Sequence, residues 1–212
     1  MNWSEHITPL INLYAKRKHP LDYQSRYQLL VMVILSAQDS DRHINSLAPA
    51  LFEAYPSIAQ LSKGTPEDLH RYINSVRNFD NKSKWLVKLA QMIGDDNNIP
   101  NTLDELTKLP GVGRKSANVI IRESGGKAEG IIVDLHVLRV APRLGIAEGT
   151  KPEKIEKQLM ETLPQDQWNE AGMAMSFLGR DICRPSNPKC KECIMNTVCN
   201  FYNSLVKPKL TT

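Results

Sequence analysis

The sequence predicts an all-α fold, and three observations lead to that class. Apolar residues recur at helical spacing through most of the chain. Proline or glycine ends these periodic stretches, as at Pro20, Pro56 and Gly145. The one stretch with strand-like composition, residues 130–133, is short and isolated. The 212 residues are enough for one large or two small domains with a real core.

The periodic stretches define the predicted helices. The first is amphipathic, and the second is apolar nearly all round, which is typical of a buried central helix. Several later helices start at a capping residue and end at proline or glycine. A loop is expected at residues 78–81. The predicted helices are 4–18, 27–37, 41–54, 65–76, 82–93, 102–109, 113–124, 135–144, 152–163 and 165–179.

Charge and hydropathy narrow the function classes. A net charge of +4 and a pI of about 8.8 are compatible with nucleic-acid binding without demonstrating it. The longest apolar run, residues 29–35, is far shorter than the roughly 20 residues of a membrane helix. The N-terminus does not resemble a signal peptide. We expect a monomer in the cytoplasm, associated with the nucleoid in a bacterium; a eukaryotic nuclear location stays open.

A tight hairpin between two helices is predicted within Leu109–Asn118. Gly111 and Gly113 flank Val112, so the backbone can turn sharply and a ligand can approach it closely. The N–H groups at the start of the second helix favour an anion, which Arg114 would hold more firmly. A nucleic-acid phosphate is the natural candidate. The plainer alternative is a turn with a purely structural role.

Lys115 and Asp134 are the candidate catalytic residues. Lys115 lies in the first turn of the second helix, where the positive helix end and Arg114 disfavour its charged form. A lysine held in that way could act as a neutral amine nucleophile, whereas a solvated surface lysine is the plainer interpretation. Asp134 precedes a further helical run at an N-cap position.

All four cysteines lie between residues 183 and 199, in the pattern C-x6-C-x2-C-x5-C. Disulfides are not expected in a cytosolic chain, and four thiolates in one short loop indicate a metal centre. Spacing alone leaves a tetrahedral zinc ion and a [4Fe–4S] cluster open. The basic residues of this loop could meet phosphates or form an ordinary solvated surface. The candidate ligands are Cys183, Cys190, Cys193 and Cys199, and the basic residues are Arg184, Lys189 and Lys191.

Together these features resemble the endonuclease III family of DNA glycosylases, in the helix-hairpin-helix superfamily. Leu109–Asn118 is similar to the family hairpin, and Val133–Val137 is similar to its aspartate motif. The cysteine spacing is similar to the family's iron–sulfur loop, and Leu35–Gln38 resembles a further family segment. The resemblance covers nearly the whole chain.

The resemblance implies two helical domains that flank a DNA-binding cleft. A six-helix barrel that contains the hairpin would span residues 20–127, and an iron–sulfur cluster domain would join residues 1–19 to residues 128–212. Lys115 would lie at the cleft beside Asp134. The implied cofactor is a [4Fe–4S] cluster, and the implied partner is double-stranded DNA with a damaged base or an abasic site.

The resemblance also implies the reaction. The damaged base would be flipped out of the duplex, and Lys115 would attack the sugar and form a Schiff base. Asp134 would assist deprotonation of the lysine or stabilise positive charge on the sugar, and β-elimination would cut the strand. Gln38 would fill the gap left by the flipped nucleotide. The residues expected to contact DNA are Gln38, Arg77, Asn78, Phe79, Leu109, Gly111, Val112, Gly113, Arg114, Arg184, Lys189 and Lys191.

The chain departs from the family pattern at three places. Leu135 stands where threonine is usual, Asp39 where a small residue is common, and Arg77–Phe79 where glycine precedes an apolar wedge residue. These changes predict a narrower or shifted range of lesions. Lys115 favours the bifunctional branch that acts on oxidised pyrimidines. The alternatives are a monofunctional uracil or mismatch glycosylase and a non-catalytic iron–sulfur DNA-binding module.

Overall fold

The computed structural model of the protein describes residues 1–206, which contain helices and no β-strand, so the predicted all-α class is confirmed. No helix of this part of the chain combines the length and the apolar character that a membrane crossing demands. The α-helices are α1 (Trp3–Tyr14), α2 (Arg26–Leu35), α3 (Asp41–Ala54), α4 (Ile58–Leu61), α5 (Pro66–Ile73), α6 (Phe79–Ile93), α7 (Leu103–Thr107), α8 (Arg114–Glu123), α9 (Leu135–Leu144), α10 (Pro152–Thr162), α11 (Trp168–Asp181) and α12 (Asn200–Val206). Short 3₁₀ turns lie at Asp96–Asn98, Gln165–Gln167, Cys190–Glu192 and Asn196–Val198.

Some helix boundaries differ from the predicted ones. α4 and α12 have four and seven residues, which is too short for a periodic pattern to predict them. The predicted loop at residues 78–81 is wrong, because α6 begins at Phe79. Asn78 has a left-handed backbone with φ of 60°, and its carbonyl accepts the Lys82 N–H at 3.1 Å. One left-handed residue therefore completes the turn, and the helix starts at the next residue.

The helices divide into two compact units. Unit 1 consists of Met1–Arg17 with Ala128–Thr212, and unit 2 consists of Lys18–Lys127. The first boundary falls after residue 17, where the resemblance implies residue 19, and the second falls after residue 127 in both. The description of unit 2 as a barrel and of unit 1 as a cluster domain stays a prediction, as does the cleft.

Helix α2 forms the centre of unit 2. Residues 29–35 are all buried, which confirms the prediction of a buried central helix. The helix begins at a capping residue, Ser25, whose side chain accepts the Gln28 N–H at 3.1 Å. The buried Tyr27 donates its hydroxyl to the Tyr55 carbonyl at 2.8 Å, so its polar end has a partner. α2 packs against α3, α6 and α8.

Helices α7 and α8 form the predicted hairpin and pack on each other. The turn between them is fixed by buried Leu109 and Val112, and the Val112 N–H donates to the Leu109 carbonyl at 3.1 Å. Gly111 has φ of +78°, a left-handed conformation that favours glycine. A Cβ at this position would lie 2.9 Å from Cε3 of Trp85 and 3.2 Å from Cγ2 of Ile34. The turn therefore needs glycine for its conformation and for its packing.

Unit 1 is built around α9 and α11, which pack on each other. α1 packs on α11, while α10 and α12 pack on α9. Gly172 and Gly179 lie on one face of α11 and permit a close approach. A Cβ on Gly172 would lie 2.7 Å from the Ile132 carbonyl oxygen, and one on Gly179 would lie 2.8 Å from Cβ of His136. These glycines bring α11 against the segment that leads into α9.

Gly111→Ala is expected to lower the free energy of unfolding by about 1–3 kcal/mol, because it forces a left-handed alanine against Trp85. Gly113→Ala is the matched control, since Gly113 has φ of −87° and a Cβ there would meet nothing within 4 Å. We expect the control to change stability by less than about 1 kcal/mol. Urea denaturation measures both effects. Equal losses in the two variants would contradict a specific need for glycine at position 111.

Candidate functional site

The hairpin turn presents its backbone and two basic side chains to solvent. The side chains of Leu109 and Val112 are only 6% and 5% exposed, so they anchor the turn and leave its backbone to meet a ligand. Gly113 starts α8 without a capping side chain, and Arg114 and Lys115 are exposed in the first turn. An anion bound here would meet the positive end of the helix dipole and two cationic side chains.

A half-buried histidine, His19, keeps its neutral form near Lys115. Burial lowers the pKa of His19 to about 4, and the charges of Lys115 and Arg122 act in the same direction, against Glu123 and Asp41. The Glu123 carboxylate is in contact with the Arg122 guanidinium, so that charge has its own partner. His19 therefore adds no positive charge to the surroundings of Lys115 at neutral pH.

Two further turns of unit 2 carry the predicted gap-filling residues. Gln38 and Asn78 are exposed, and both have left-handed backbones, with φ of 62° and 60°. That conformation is uncommon for residues other than glycine. Arg77 is also exposed, whereas the half-buried Phe79 has its ring 4.9 Å from the ring of His70. The exposed side chains can reach a ligand directly, while Phe79 packs α6 against α5.

Asp134 caps α9, as the sequence predicts. Its Oδ1 accepts the backbone N–H of His136 at 2.8 Å and that of Val137 at 2.9 Å. Its Oδ2 accepts the hydroxyl of Ser176 at 2.6 Å. Both oxygens of the carboxylate therefore have donors within unit 1, and its orientation is fixed.

Ser176 is a partner of Asp134 that the sequence patterns do not reveal. It is 1% exposed and lies on the same face of α11 as Gly172 and Gly179, so the close approach of that face brings its hydroxyl to the carboxylate. Its position, 42 residues from the aspartate, is set by tertiary packing. The only signal in the sequence is the helical spacing of three small residues. Leu135, beside Asp134, has no hydroxyl and is 79% exposed.

The four cysteines line one pocket of unit 1 and are free thiols. Within residues 1–206, no three or more His, Cys, Asp or Glu side chains gather as a site for a single metal ion. Thiolate sulfur is a ligand of zinc and of iron–sulfur clusters alike, so the four thiols that line this pocket fit a metal centre. The other lining residues are Leu144, Leu178, Ile182, Asn196, Phe201 and Tyr202.

The thiols lie within electrostatic range of one another. Burial raises the pKa of Cys193 to about 11, and negative charge on the other three cysteines acts in the same direction. Burial also raises the pKa of Cys190, with a further contribution from Cys183 and Cys199. Four thiolates within this range would repel one another, and a bound cationic centre would stabilise them.

Two arginines of α9 hold the cysteine loop in place. Arg139 donates from Nε to the Cys183 carbonyl at 2.9 Å. Arg143 donates from Nη1 to Sγ of Cys183 at 3.4 Å and to the Arg184 carbonyl at 2.8 Å. The guanidinium carbon of Arg143 also lies 4.5 Å from the ring centroid of Phe201, which lines the pocket. These contacts connect the pocket to the helix that Asp134 caps.

The predicted phosphate contacts of the cysteine loop are all at the surface. Arg184, Lys189 and Lys191 are exposed, as both interpretations of these residues require. Nζ of Lys189 lies 3.6 Å from the Glu192 carboxylate, and an exposed pair of this kind contributes little to stability. All three side chains can turn toward an anion, so a role in DNA binding stays a prediction.

Comparisons with known proteins fit this combination of hairpin, capped aspartate and thiol pocket. Residues 31–165 match the family model described as "HhH-GPD superfamily base excision DNA repair protein". The chain is 37% identical over 198 residues to Endonuclease III of Synechocystis sp.. This match covers 92% of the present chain and 90% of the Synechocystis protein. The chain therefore belongs to the HhH-GPD superfamily and, within it, to the endonuclease III family.

Solved structures of the family resemble the chain closely. A non-covalent endonuclease III–DNA complex is 33% identical, with a TM-score of 0.83 over 93% of both chains. A trapped endonuclease III–DNA covalent intermediate is 32% identical, with a TM-score of 0.85 over 96% of both chains. The all-helical architecture predicted from sequence is thus the architecture of this family.

The candidate residues are distributed over both units. Lys115 lies in unit 2 and Asp134 in unit 1, and their predicted pairing stays a prediction. Two buried side chains that the sequence analysis missed support the candidate site. Ser176 contacts Asp134, and Lys82 donates from Nζ to backbone carbonyls of residues 35 and 37, next to Gln38. A buried lysine inside an amphipathic helix gives no distinct sequence signal.

Ser176→Ala is expected to lower the free energy of unfolding by about 1.5–3 kcal/mol, since it removes a buried hydrogen bond to a carboxylate. Ser204→Ala is the matched control, because Ser204 is exposed and its hydroxyl donates to the nearby carbonyl of Phe201. Urea denaturation at neutral pH compares both with the wild type. A loss in Ser176→Ala no larger than that in the control would mean that the contact does not hold Asp134.

Proposed function

We propose that this chain is a base excision repair DNA glycosylase with AP lyase activity, which removes oxidised pyrimidines from duplex DNA. The observation that carries the proposal is Lys115, an exposed lysine at the start of α8, directly after the hairpin turn. A relative of similar fold forms a trapped covalent intermediate with DNA. Such an intermediate requires a nucleophile from the protein, and an amine can form a Schiff base with a sugar.

In the proposed reaction, the Lys115 amine attacks C1′ of the damaged nucleotide. The bond between C1′ and the base breaks, and the base leaves with the bonding electrons and takes up a proton. Opening of the sugar ring gives a Schiff base between Nζ and C1′. Loss of a proton from C2′ then expels the 3′ phosphate by β-elimination, which cuts the strand on the 3′ side of the lesion. Water finally hydrolyses the Schiff base and releases Lys115.

Asp134 is the second catalytic residue in this proposal. It takes the proton from the Lys115 ammonium group or stabilises the positive charge that develops on the sugar. Its contacts support either role, because the cap of α9 and Ser176 fix the direction of the carboxylate. A carboxylate oxygen can accept more than one hydrogen bond, so Oδ2 keeps acceptor capacity beside the serine.

The turns of unit 2 would hold the DNA. The target base must leave the base stack, since its reactive atoms are out of reach inside a duplex. The start of α8, with Gly113 and Arg114, would bind a backbone phosphate. Gln38, Asn78 and Arg77 would fill the gap and contact the strand around it, which their exposure supports. The net charge of +4 supports a polyanionic partner, and we infer that the protein acts as a monomer at the bacterial nucleoid.

Cys183, Cys190, Cys193 and Cys199 would hold a [4Fe–4S] cluster in the pocket of unit 1. When bound, the cluster supplies cationic iron that stabilises the thiolates and links the ends of the cysteine loop. Arg139 and Arg143 of α9 hold the cysteine loop through hydrogen bonds to its backbone. Positive charge at the surface of the loop comes from Arg184, Lys189 and Lys191.

The exposed Leu135 supports a range of lesions that is narrower than, or shifted from, that of other family members. It places an apolar side chain next to the proposed catalytic carboxylate, at a position where the family usually has a hydroxyl. The hydrogen bond that Ser176 makes to Asp134 leaves the carboxylate anchored all the same.

Borohydride reduction should trap a covalent complex between the wild type and a duplex that carries an oxidised pyrimidine, because it reduces the Schiff base at Lys115 to a stable amine. Lys115→Gln should give no trapped band on this duplex or on one with an abasic site. Lys108→Gln is the matched control, since Lys108 is an exposed lysine of the same hairpin that pairs with Asp104. It should trap as the wild type does.

The other outcomes of trapping distinguish the alternatives. A band on the abasic duplex alone would leave a lyase with a different base substrate. Release of uracil or a mismatched base without a band would indicate a monofunctional glycosylase. No release and no band would favour a non-catalytic binding module. An undiminished band with Lys115→Gln would overturn the assignment of the nucleophile.

Protein purified without oxygen is expected to be brown, with broad visible absorbance and about four iron atoms per chain. Cys193→Ser should lose most of the iron and the colour, because the serine replaces one of the proposed ligands. Ser204→Ala, which changes an exposed residue of unit 1, should keep both. Metal analysis and absorbance spectra measure the result. A colourless wild type with one zinc ion per chain would contradict the cluster.

A further inference from the structure

Unit 2 contains a hydrogen-bond network that joins the turn of Gln38 to the turn of Arg77 and Asn78. Its centre is Asp39, whose side chain is only 13% exposed. Oδ2 of Asp39 accepts the backbone N–H of Arg77 at 3.1 Å. Oδ1 accepts the backbone N–H of Ser40 at 2.8 Å, so the same carboxylate holds both turns.

A histidine extends the network. Nδ1 of His43 lies 2.8 Å from Oδ1 of Asp39, and because a carboxylate only accepts, the ring donates there. Nε2 of His43 lies 2.9 Å from the hydroxyl of Ser75, which precedes the second turn. Burial opposes ionisation of Asp39, but the hydrogen bonds from His43, Arg77 and Ser40 outweigh it and hold the pKa of the carboxyl below its usual range.

A second connection starts from the Arg77–Asn78 turn and reaches the Gln38 turn through the side chain of Lys82. Lys82, in the first turns of α6, is 2% exposed. It donates from Nζ to the carbonyl of Leu35 at 2.8 Å and to that of Ala37 at 2.7 Å. Its own N–H donates to the carbonyl of Asn78 at 3.1 Å. The ends of both turns are therefore fastened to each other, once through Asp39 and once through Lys82.

Both turns contain a strained residue that needs such support. Gln38 and Asn78 have left-handed backbones, which cost an ordinary side chain such as that of Gln38 roughly 1–2 kcal/mol and cost asparagine less. Strain of this kind persists only where the surrounding structure holds it. Gln38 directly precedes Asp39, and Asn78 directly follows Arg77, so the hydrogen bond between Asp39 and Arg77 lies next to both strained residues.

We infer that Asp39 is a positioning residue that couples the Gln38 turn to the Arg77–Asn78 turn, so that both enter the gap of a flipped nucleotide as one rigid element. The inference rests on the proposed function, which assigns these exposed side chains to the DNA. Two side chains held in one geometry lose less freedom on binding than two independent loops. The acid at position 39 thus determines how the enzyme opens a duplex, without touching the reacting atoms.

The test compares Asp39→Asn with the wild type on three substrates under single-turnover conditions. These are a duplex with an oxidised pyrimidine, a duplex with an abasic site, and a single strand with an abasic site. The asparagine amide has the same shape as the carboxylate, but it replaces one of the two acceptor oxygens with an NH₂ donor. We expect base release from the first to slow by about tenfold or more, as for loss of a hydrogen bond to a charged group. Cleavage of the single strand, which has no gap to fill, should stay within about twofold.

Glu53→Gln is the matched control, because it removes one negative charge from the exposed side of α3. Its rates on all three substrates should equal those of the wild type. This result would distinguish an effect of the network from a general effect of charge on DNA binding. His43→Gln breaks the same network at its next member. It should slow base release from the oxidised-pyrimidine duplex selectively. The double variant should release the base little more slowly than Asp39→Asn alone, since both changes act on one connection.

Equal slowing of Asp39→Asn on all three substrates would overturn the inference, because it would show a general loss of the fold or the site. Unchanged rates on all three would overturn it as well. If thermal unfolding shows that Asp39→Asn does not fold, His43→Gln decides by the same criteria. A wild type that cleaves none of the substrates would overturn the proposed function, and this inference with it, whatever the variants do.

Discussion

Both proposed catalytic side chains depend on close backbone approaches that only glycine permits. In unit 2, Gly111 turns the chain against Trp85 and Ile34, and Lys115 follows on the helix that this turn starts. In unit 1, Gly172 and Gly179 bring α11 against the segment that leads to Asp134. A side chain at any of these three positions would push apart the elements that place the reactive groups.

Two carboxylates, Asp134 in unit 1 and Glu123 in unit 2, each have fixed partners within their own unit. Asp134 accepts two helix N–H groups and a serine hydroxyl, so its orientation does not depend on solvent. Glu123 is in contact with Arg122, and His19 near them stays neutral because burial lowers its pKa to about 4. Arg114 and Lys115 are exposed in the first turn of α8, and these are the cationic groups that the proposed chemistry uses.

The turns of Gln38 and Asn78 contain the strained residues that the proposed function assigns to DNA binding. Each holds an exposed polar residue in a left-handed conformation, and the two are joined through Asp39 and the buried Lys82. The departure at position 39 thus bonds to the backbone of the turn that carries the departure at position 77.

Features that depend on neighbours along the chain can be read from the sequence. Helical periodicity gave the class and most helices, while local chemistry marked the hairpin at Gly111, the cap at Asp134 and the cysteine loop. Tertiary structure alone decided the rest. Ser176 meets Asp134 across 42 residues, and Asp39 meets Arg77 across 38. Such pairs leave no periodic signal, because their distance is set by how helices pack and not by spacing along the chain.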